Sequence, residues 1–214
     1  MIKNVIFDVN KVLRILNPDS INSYFSKAQL EKYGDRYNNV TIRDYFNTFF
    51  HNKIYEQYDL GLISQNALIL ALSKEFNEPV DVLSTILEKR CLKKNNTIFK
   101  PMITLIKNLR KSGIKTYILS NMGKEAADVL KVYLGQENFD GVIFSCEIHK
   151  NKPNANIYEH AINEFNIDAK ESLFVDDTFE NLIPFNLLGG RTYLFDYKQM
   201  KKCIQDIKRI VLKQ

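Results

Sequence analysis

Cysteine is scarce in this chain: Cys91, Cys146 and Cys203 stand far apart, are odd in number and form no CxxC pair. That excludes a disulfide framework and a zinc knuckle, and the expected compartment is a reducing cytoplasm. Long apolar runs are missing too. Even residues 67–72 are soon followed by Lys74 and Glu75, where a membrane helix needs about 18 apolar residues, so no membrane partner is expected. Before Asp8 there is one lysine and a three-residue apolar run, short of the roughly 7 to 15 apolar residues of an export signal. A large excess of one charge is also lacking. The net +5 arises mainly from residues 89–100 and 198–213, reads as solvated helix faces, and comes with no nucleic-acid motif, so nucleic acid is set aside. No internal repeat or low-complexity segment appears.

What is present suits a globular enzyme-sized chain. With 45% hydrophobic and 26% charged residues, 214 residues can form one sizeable domain, or a core with a smaller insertion. Short β-branched or aromatic runs at 5–7, 114–119, 141–144, 172–175 and 191–195 alternate with helical segments, which predicts a parallel sheet wrapped by helices. One helix opens at Lys100-Pro101, presents Ile103, Leu105, Ile106 and Leu109, and ends before Gly113. Ile157, Tyr158, Ala161, Ile162 and Phe165 make a second apolar stripe, and Tyr197, Met200, Ile204, Ile207 and Val211 a third. From 15 to 96 no strand is evident and the texture is helical and rich in Tyr and Phe. The expected division is an α/β core of residues 1–14 and 97–214 with an α-helical insertion at 15–96, returning through residues 93–97.

Ligands of such sheets bind beyond the carboxyl ends of the strands. Asp8 follows the first run, Ser120 and Asn121 the second, Lys152 lies in a loop after the third, and Asp176-Asp177 follow the fourth. Each alone reads as a cap or turn residue. Together they suit phosphoryl transfer. A carboxylate can attack phosphorus to give an aspartyl phosphate, and clustered carboxylates need a hard cation such as Mg2+. Lysine and small donors balance the equatorial oxygen charge.

These residues resemble a known family. Val5-Ile6-Phe7-Asp8 with Val12-Leu13, Leu119-Ser120-Asn121, Lys152-Pro153-Asn154 with Ile157-Tyr158, and Phe174-Val175-Asp176-Asp177 with Glu180-Asn181 resemble, in order, the four motifs of the haloacid dehalogenase-like hydrolases. Gly189 falls where that family has a leucine-glycine pair. The resemblance covers nearly the whole chain and points to the branch with a helical cap after the first motif. It implies a Rossmann-like parallel sheet with helices on both faces, and a Mg2+-dependent phosphatase of a small phosphorylated metabolite. Asp8 would be the nucleophile and a metal ligand, joined by the Asn10 carbonyl and Asp177, with Asp176 acting directly or through water. Ser120, Asn121 and Lys152 would hold the phosphate, and Asn181 would support the metal shell.

Two departures stand beside the nucleophile. Most phosphatases of the family have an aspartate at the position of Asn10 and a glycine at that of Lys11. An amide cannot exchange a proton at neutral pH, and such assistance is worth ~10² to 10⁴ in rate. Substrates with good leaving groups, such as anomeric sugar phosphates or acyl phosphates, depend on it least. The Lys11 ammonium is an expected charge substitute near the leaving group, against the alternative of an exposed loop lysine. Two other readings remain: a catalytically weak or inactive phosphate-binding protein, and a metal-free 2-haloacid dehalogenase, against which Asp176-Asp177 argues. Tyr45, Phe46, Phe49, Phe50, Tyr55 and Tyr58 can line a pocket or pack the insertion's core. Of His51, His149 and His160, His149 is the one expected to approach substrate. Oligomeric state is left open.

Overall fold

The computed structural model describes residues 1–17, 19–49 and 52–212. In chain order the elements are β1 (Asn4–Phe7), β2 (Arg14–Leu16), α1 (Lys27–Tyr33), α2 (Ile42–Asn47), α3 (Lys53–Asp59), α4 (Gln65–Phe76), α5 (Val80–Lys89) and β3 (Asn96–Ile98). They continue with α6 (Lys100–Lys111), β4 (Lys115–Ser120), α7 (Lys124–Leu134), β5 (Gly141–Phe144), α8 (Ser145–Ile148), α9 (Ala155–Glu164), β6 (Ser172–Asp176), α10 (Phe179–Leu187), β7 (Arg191–Leu194) and α11 (Met200–Leu212). The main sheet has the order β5-β4-β1-β6-β7, with every neighbouring pair parallel. The expected fold class is the one observed, and each predicted run falls on one of these strands.

The period of two in each strand sets the layers. Val5, Phe7, Ile118, Phe144, Leu173 and Val175 point to one face, where Leu105 and Leu109 of α6, Ala127 and Leu130 of α7 and Ile207 of α11 cover them. Ile6, Tyr117, Leu119, Ile143 and Phe174 point to the other, under Ile157, Tyr158 and Ala161 of α9 and Phe185 of α10. Alternate residues of one strand thus enter separate apolar layers, as a sheet covered on both sides requires. Pro101 lies in the first turn of α6, where its missing N–H leaves no bond unmade.

The interval 15–96 departs from expectation at its ends. β2 and β3 pair antiparallel, Arg14 opposite Ile98 and Leu16 opposite Asn96, as a two-stranded neck. These three-residue strands are too short to show alternation in the sequence. Between them lie α1 to α5, whose buried side chains form their own cluster, including Tyr45, Phe46, Phe49, Tyr55 and Tyr58. Phe50 and His51 lie outside the described residues. Among the described residues no helix is long and apolar enough to cross a membrane.

The end of α3 fastens this helical segment to the sheet. Tyr58 donates to Glu125 (2.7 Å), Ser145 Oγ donates to the Asp59 carbonyl (2.5 Å), and Asn151 donates to Glu56 (2.8 Å). Gly123 makes the approach possible: a Cβ there would stand 2.1 Å from the Tyr58 ring. At Gly61, with φ +68°, a Cβ would stand 2.4 Å from the Cys146 carbonyl oxygen.

Candidate active site

The carboxyl edge of the sheet gathers the residues singled out from the sequence. Asp8 follows β1 directly, its N–H bonded to the Val175 carbonyl of the adjacent strand (2.9 Å). Ser120, the last residue of β4, donates to Asp8 Oδ1 at 2.8 Å. Lys152 Nζ donates to the same oxygen at 2.7 Å and to Asp176 Oδ2 at 2.6 Å. Asp8, Asp176 and Asp177 each offer an oxygen within 4.8 Å of the others, a set able to hold a metal ion. Oxygen donors on three carboxylates match what magnesium accepts.

The supporting bonds divide the work among neighbours. Asn121 clamps the Lys152 backbone from both sides, accepting from its N–H and donating to its carbonyl, each at 2.9 Å. Asp176 is committed to the protein: it accepts from Lys152, from the Thr178 N–H at 2.8 Å, and from Asn181 at 3.1 Å on both oxygens. Asp177 is only partly buried and is paired with Lys11 Nζ at 3.0 Å. Lys11 has φ +57°, the left-handed region that favours glycine, and its N–H is bonded to the Arg14 carbonyl (2.7 Å). Its ammonium meets the acidic cluster at Asp177, while the residue is an exposed loop lysine with about half its side chain open to solvent.

Electrostatics follow from burial. Burial pushes the Asp8 carboxyl up to about 6; Lys152 pulls the other way, and Asp176 and Asp177 add to the rise. Burial works against the Lys152 ammonium, but Asp8 and Asp176 outweigh it and its pKa is raised. The lysine therefore stays charged.

A cavity of about 420 Å³ opens on this cluster, within the size range of small-molecule sites. Asp8, Asn10, Lys11, Asn121, Lys152, Asp177 and Asn181 line one side, and Arg43, Phe46, Asn47, Tyr55, Asp59 and Arg90 line the other, with Arg14 at the neck. Phe46 and Tyr55 thus face the cavity, whereas Tyr45, Phe49 and Tyr58 pack the helical core. The arginines and Asp59 were missed from sequence. No local signal marks them, because the same segment carries many other charged residues, such as Lys53, Glu56, Lys74, Glu75, Glu88 and Lys89. Burial pushes the Asp59 carboxyl up to about 7, against the pull of Arg90 and the Gly123 N–H. The expectation for His149 is corrected: its ring bonds the Leu60 carbonyl (2.7 Å) and it does not line the cavity, and His160 pairs with Lys150 (3.4 Å).

Fold and site together define a protein with a parallel α/β core and an acidic cluster on the carboxyl edge of its sheet. The chain belongs to the haloacid dehalogenase-like hydrolases, whose family model matches residues 2–189. Among curated relatives, a sesquiterpene phosphatase of Aspergillus oryzae is 24% identical over 153 residues, covering 70% of this chain and 76% of that protein. A drimenol cyclase of Aspergillus calidoustus is 26% identical over 153 residues, covering 69% of this chain, which spans only 28% of the cyclase's length. In fold the chain is similar to a predicted HAD-like family hydrolase of Porphyromonas gingivalis (TM-score 0.75, 23% identity, 100% of both chains). It is also similar to a HAD family enzyme of Bacteroides thetaiotaomicron solved with magnesium and inorganic phosphate (TM-score 0.65, 21% identity, 90% and 93% of the two chains).

Proposed function

We propose that the chain is a magnesium-dependent phosphatase of a small phosphorylated metabolite, a sugar phosphate or similar, acting through an aspartyl phosphate on Asp8. The observation that carries this reading is the convergence of Asp8, Asp176 and Asp177 within 4.8 Å, with Lys152 and Ser120 both on Asp8 Oδ1. The phosphatase named among the relatives and the magnesium and phosphate bound to a structural neighbour support it.

In this reading residues 15–96 are a helical cap over a core of residues 1–14 and 97–214. The Asp8 carboxylate, oriented by Ser120 and Lys152, bonds to phosphorus as the bond to the leaving oxygen breaks. Lys152 and the Asn121 region balance charge on the phosphoryl oxygens. Magnesium held by Asp8, Asp177 and the Asn10 carbonyl would draw further charge from those oxygens. Because Asp176 already accepts from Lys152, Thr178 and Asn181, it acts through these bonds or a water, which leaves Asp177 the freer ligand. Asn10 lines the cavity but supplies no proton, so the leaving oxygen takes one from solvent. Water then cleaves the aspartyl phosphate and regenerates Asp8.

The test is phosphate release from a panel of phosphorylated metabolites and p-nitrophenyl phosphate, with magnesium and with chelator. Activity is expected only with magnesium and should fall on the order of 10³-fold or more in Asp8→Asn. Wild-type rates in that variant, or rates indifferent to chelation, refute the reading. Because Asn10 replaces the proton donor, a second reading is retained: tight phosphate binding without turnover would mark a phosphate-binding protein.

A further inference from the structure

The neck and the helical side of the cavity, with Arg14, Arg43 and Arg90, hold more positive charge than the hydrolysis of one phosphate requires. Arg14 commits one hydrogen bond, from Nη1 to Asn96 Oδ1, and Arg90 one, from Nη1 to the Tyr55 hydroxyl. The Nε of each is buried without an acceptor. Among the described residues no carboxylate lies within 4.0 Å of Arg14, Arg90 or Arg43, although nine other ion pairs form. Each guanidinium has five N–H donors in a fork suited to carboxylate and phosphate, so most of this capacity is unused.

Burial works against both buried guanidinium charges; for Arg90, Tyr55 and Tyr58 outweigh it and its pKa is raised. Burial and the neighbouring Arg90 charge lower the Arg14 pKa to about 10. The aromatic faces of Phe46, Tyr55 and Tyr58, 5.1 to 5.9 Å from the Arg90 guanidinium, stabilise a cation without cancelling its charge. Asp59 lines the same wall, but with its carboxyl pushed up to about 7 it is an incomplete counterion at neutral pH. A charge left unpaired in a low-dielectric wall is tolerated where a ligand supplies its partner.

We propose that Arg14, Arg90 and Arg43 form a second oxyanion subsite, so that the preferred substrate carries a carboxylate or a second phosphoryl group in addition to the phosphate that reaches Asp8. The claim rests on the phosphatase reading for the first phosphate, and it adds the chemical class of the substrate's far end. All three arginines line the cavity that Asp8, Lys152 and Asp177 line, so one molecule can meet both ends.

Two matched pairs of probes test it with magnesium present: phosphoglycolate against ethyl phosphate, and propane-1,3-diol bisphosphate against propyl phosphate. Turnover is followed by phosphate release and binding by calorimetry. In at least one pair the doubly anionic probe should show kcat/KM or affinity tenfold or more above its partner, and the pair that responds names the oxyanion. In Arg14→Gln, which keeps a donor for Asn96, that ratio should fall towards one while the ligand-free protein melts no lower than wild type, since an unpaired cation has been removed. Equal values in both pairs, with both probes hydrolysed, overturn the subsite and leave the phosphatase reading intact. Binding that favours the doubly anionic probe without any hydrolysis upholds the subsite and overturns the phosphatase reading. An unchanged ratio in Arg14→Gln overturns the assignment to these arginines.

Discussion

Replacing Lys152 with methionine removes one charge and little volume from the centre of the site. Its side chain is 2% exposed, and the partner carboxylates of Asp8 and Asp176 are 7% and 0% exposed. The variant strands two buried carboxylates beside each other, with Asp177 close by. Breaking a buried pair costs about 3–5 kcal/mol, because the remaining charge has neither water nor a counterion. For a chain of this length 1 kcal/mol is roughly 2–4 °C in Tm, so the fall expected in chelator is about 6–20 °C. A divalent cation among the same carboxylates replaces the missing charge. Stabilisation by magnesium follows RT ln(1 + [Mg2+]/Kd), about 2.7 kcal/mol at a hundred times Kd, and should be larger in Lys152→Met than in wild type. Phosphate release should nevertheless remain far below wild type, since the bound phosphoryl group has lost its ammonium. Thermal denaturation by circular dichroism, in chelator and across a magnesium titration, checks both parts. A variant as stable as wild type in chelator, or an equal magnesium shift in the two proteins, refutes the electrostatic account.

Other perturbations have definite signs. The folded Asp59 pKa of about 7 lies above its ordinary 3.8, so the native state binds the extra proton; stability is full below pH 4 and is lost as pH rises through 7. The shift corresponds to at most about 4 kcal/mol, roughly 2 after screening by cavity water, and Asp59→Asn should flatten urea-unfolding free energy between pH 5 and 8; a parallel pH profile in the variant counts against it. Asn10→Asp should raise phosphate release from substrates with poor leaving groups by 10² or more and change good leaving groups little; an equal effect on both would show that protonation is not what Asn10 limits. Lys11→Ala should tighten magnesium binding by up to about fivefold, because an exposed ion pair worth roughly 0.2–1 kcal/mol no longer competes for Asp177. The corresponding rate on a sugar phosphate should fall if the ammonium also assists the leaving group. Calorimetry and initial rates check the two effects separately.

The core was legible because its signals are local. Runs such as Leu173-Phe174-Val175 are buried on both faces and read as parallel strands without reference to anything distant. Asp8, Ser120 and Asp176-Asp177 stand out because they end such runs. The neck was hidden: Arg14 and Asn96 pair across 82 residues, and neither β2 nor β3 is long enough to show a period. The helical half of the cavity was hidden for a similar reason. Arg43, Asp59 and Arg90 lie on separate helices or their ends, and they face one cavity only because Glu56, Tyr58 and Asp59 at the end of α3 fasten to the core. His149 looked promising by its nearness to Lys152 in sequence, yet the left-handed residue closing α8, at φ +54°, turns its ring to the Leu60 carbonyl.

The two departures beside the nucleophile acquire a common meaning from this geometry. Asparagine in place of the family's usual aspartate removes one negative charge, and lysine in place of glycine adds one positive charge. The first-motif loop is therefore two units more positive than the usual pattern. Lys11 meets Asp177 from a backbone conformation that a lysine adopts at a cost of about 1–2 kcal/mol. The opposite wall adds Arg43 and Arg90, and the neck Arg14, none of which has a carboxylate within 4.0 Å among the described residues. A site so altered gives up proton transfer and gains electrostatic attraction on both sides of one cavity. Such a trade favours a ligand with more negative charge than a simple monoester and with a leaving group that needs no proton, which joins Asn10, Lys11 and the arginines in one description of the substrate.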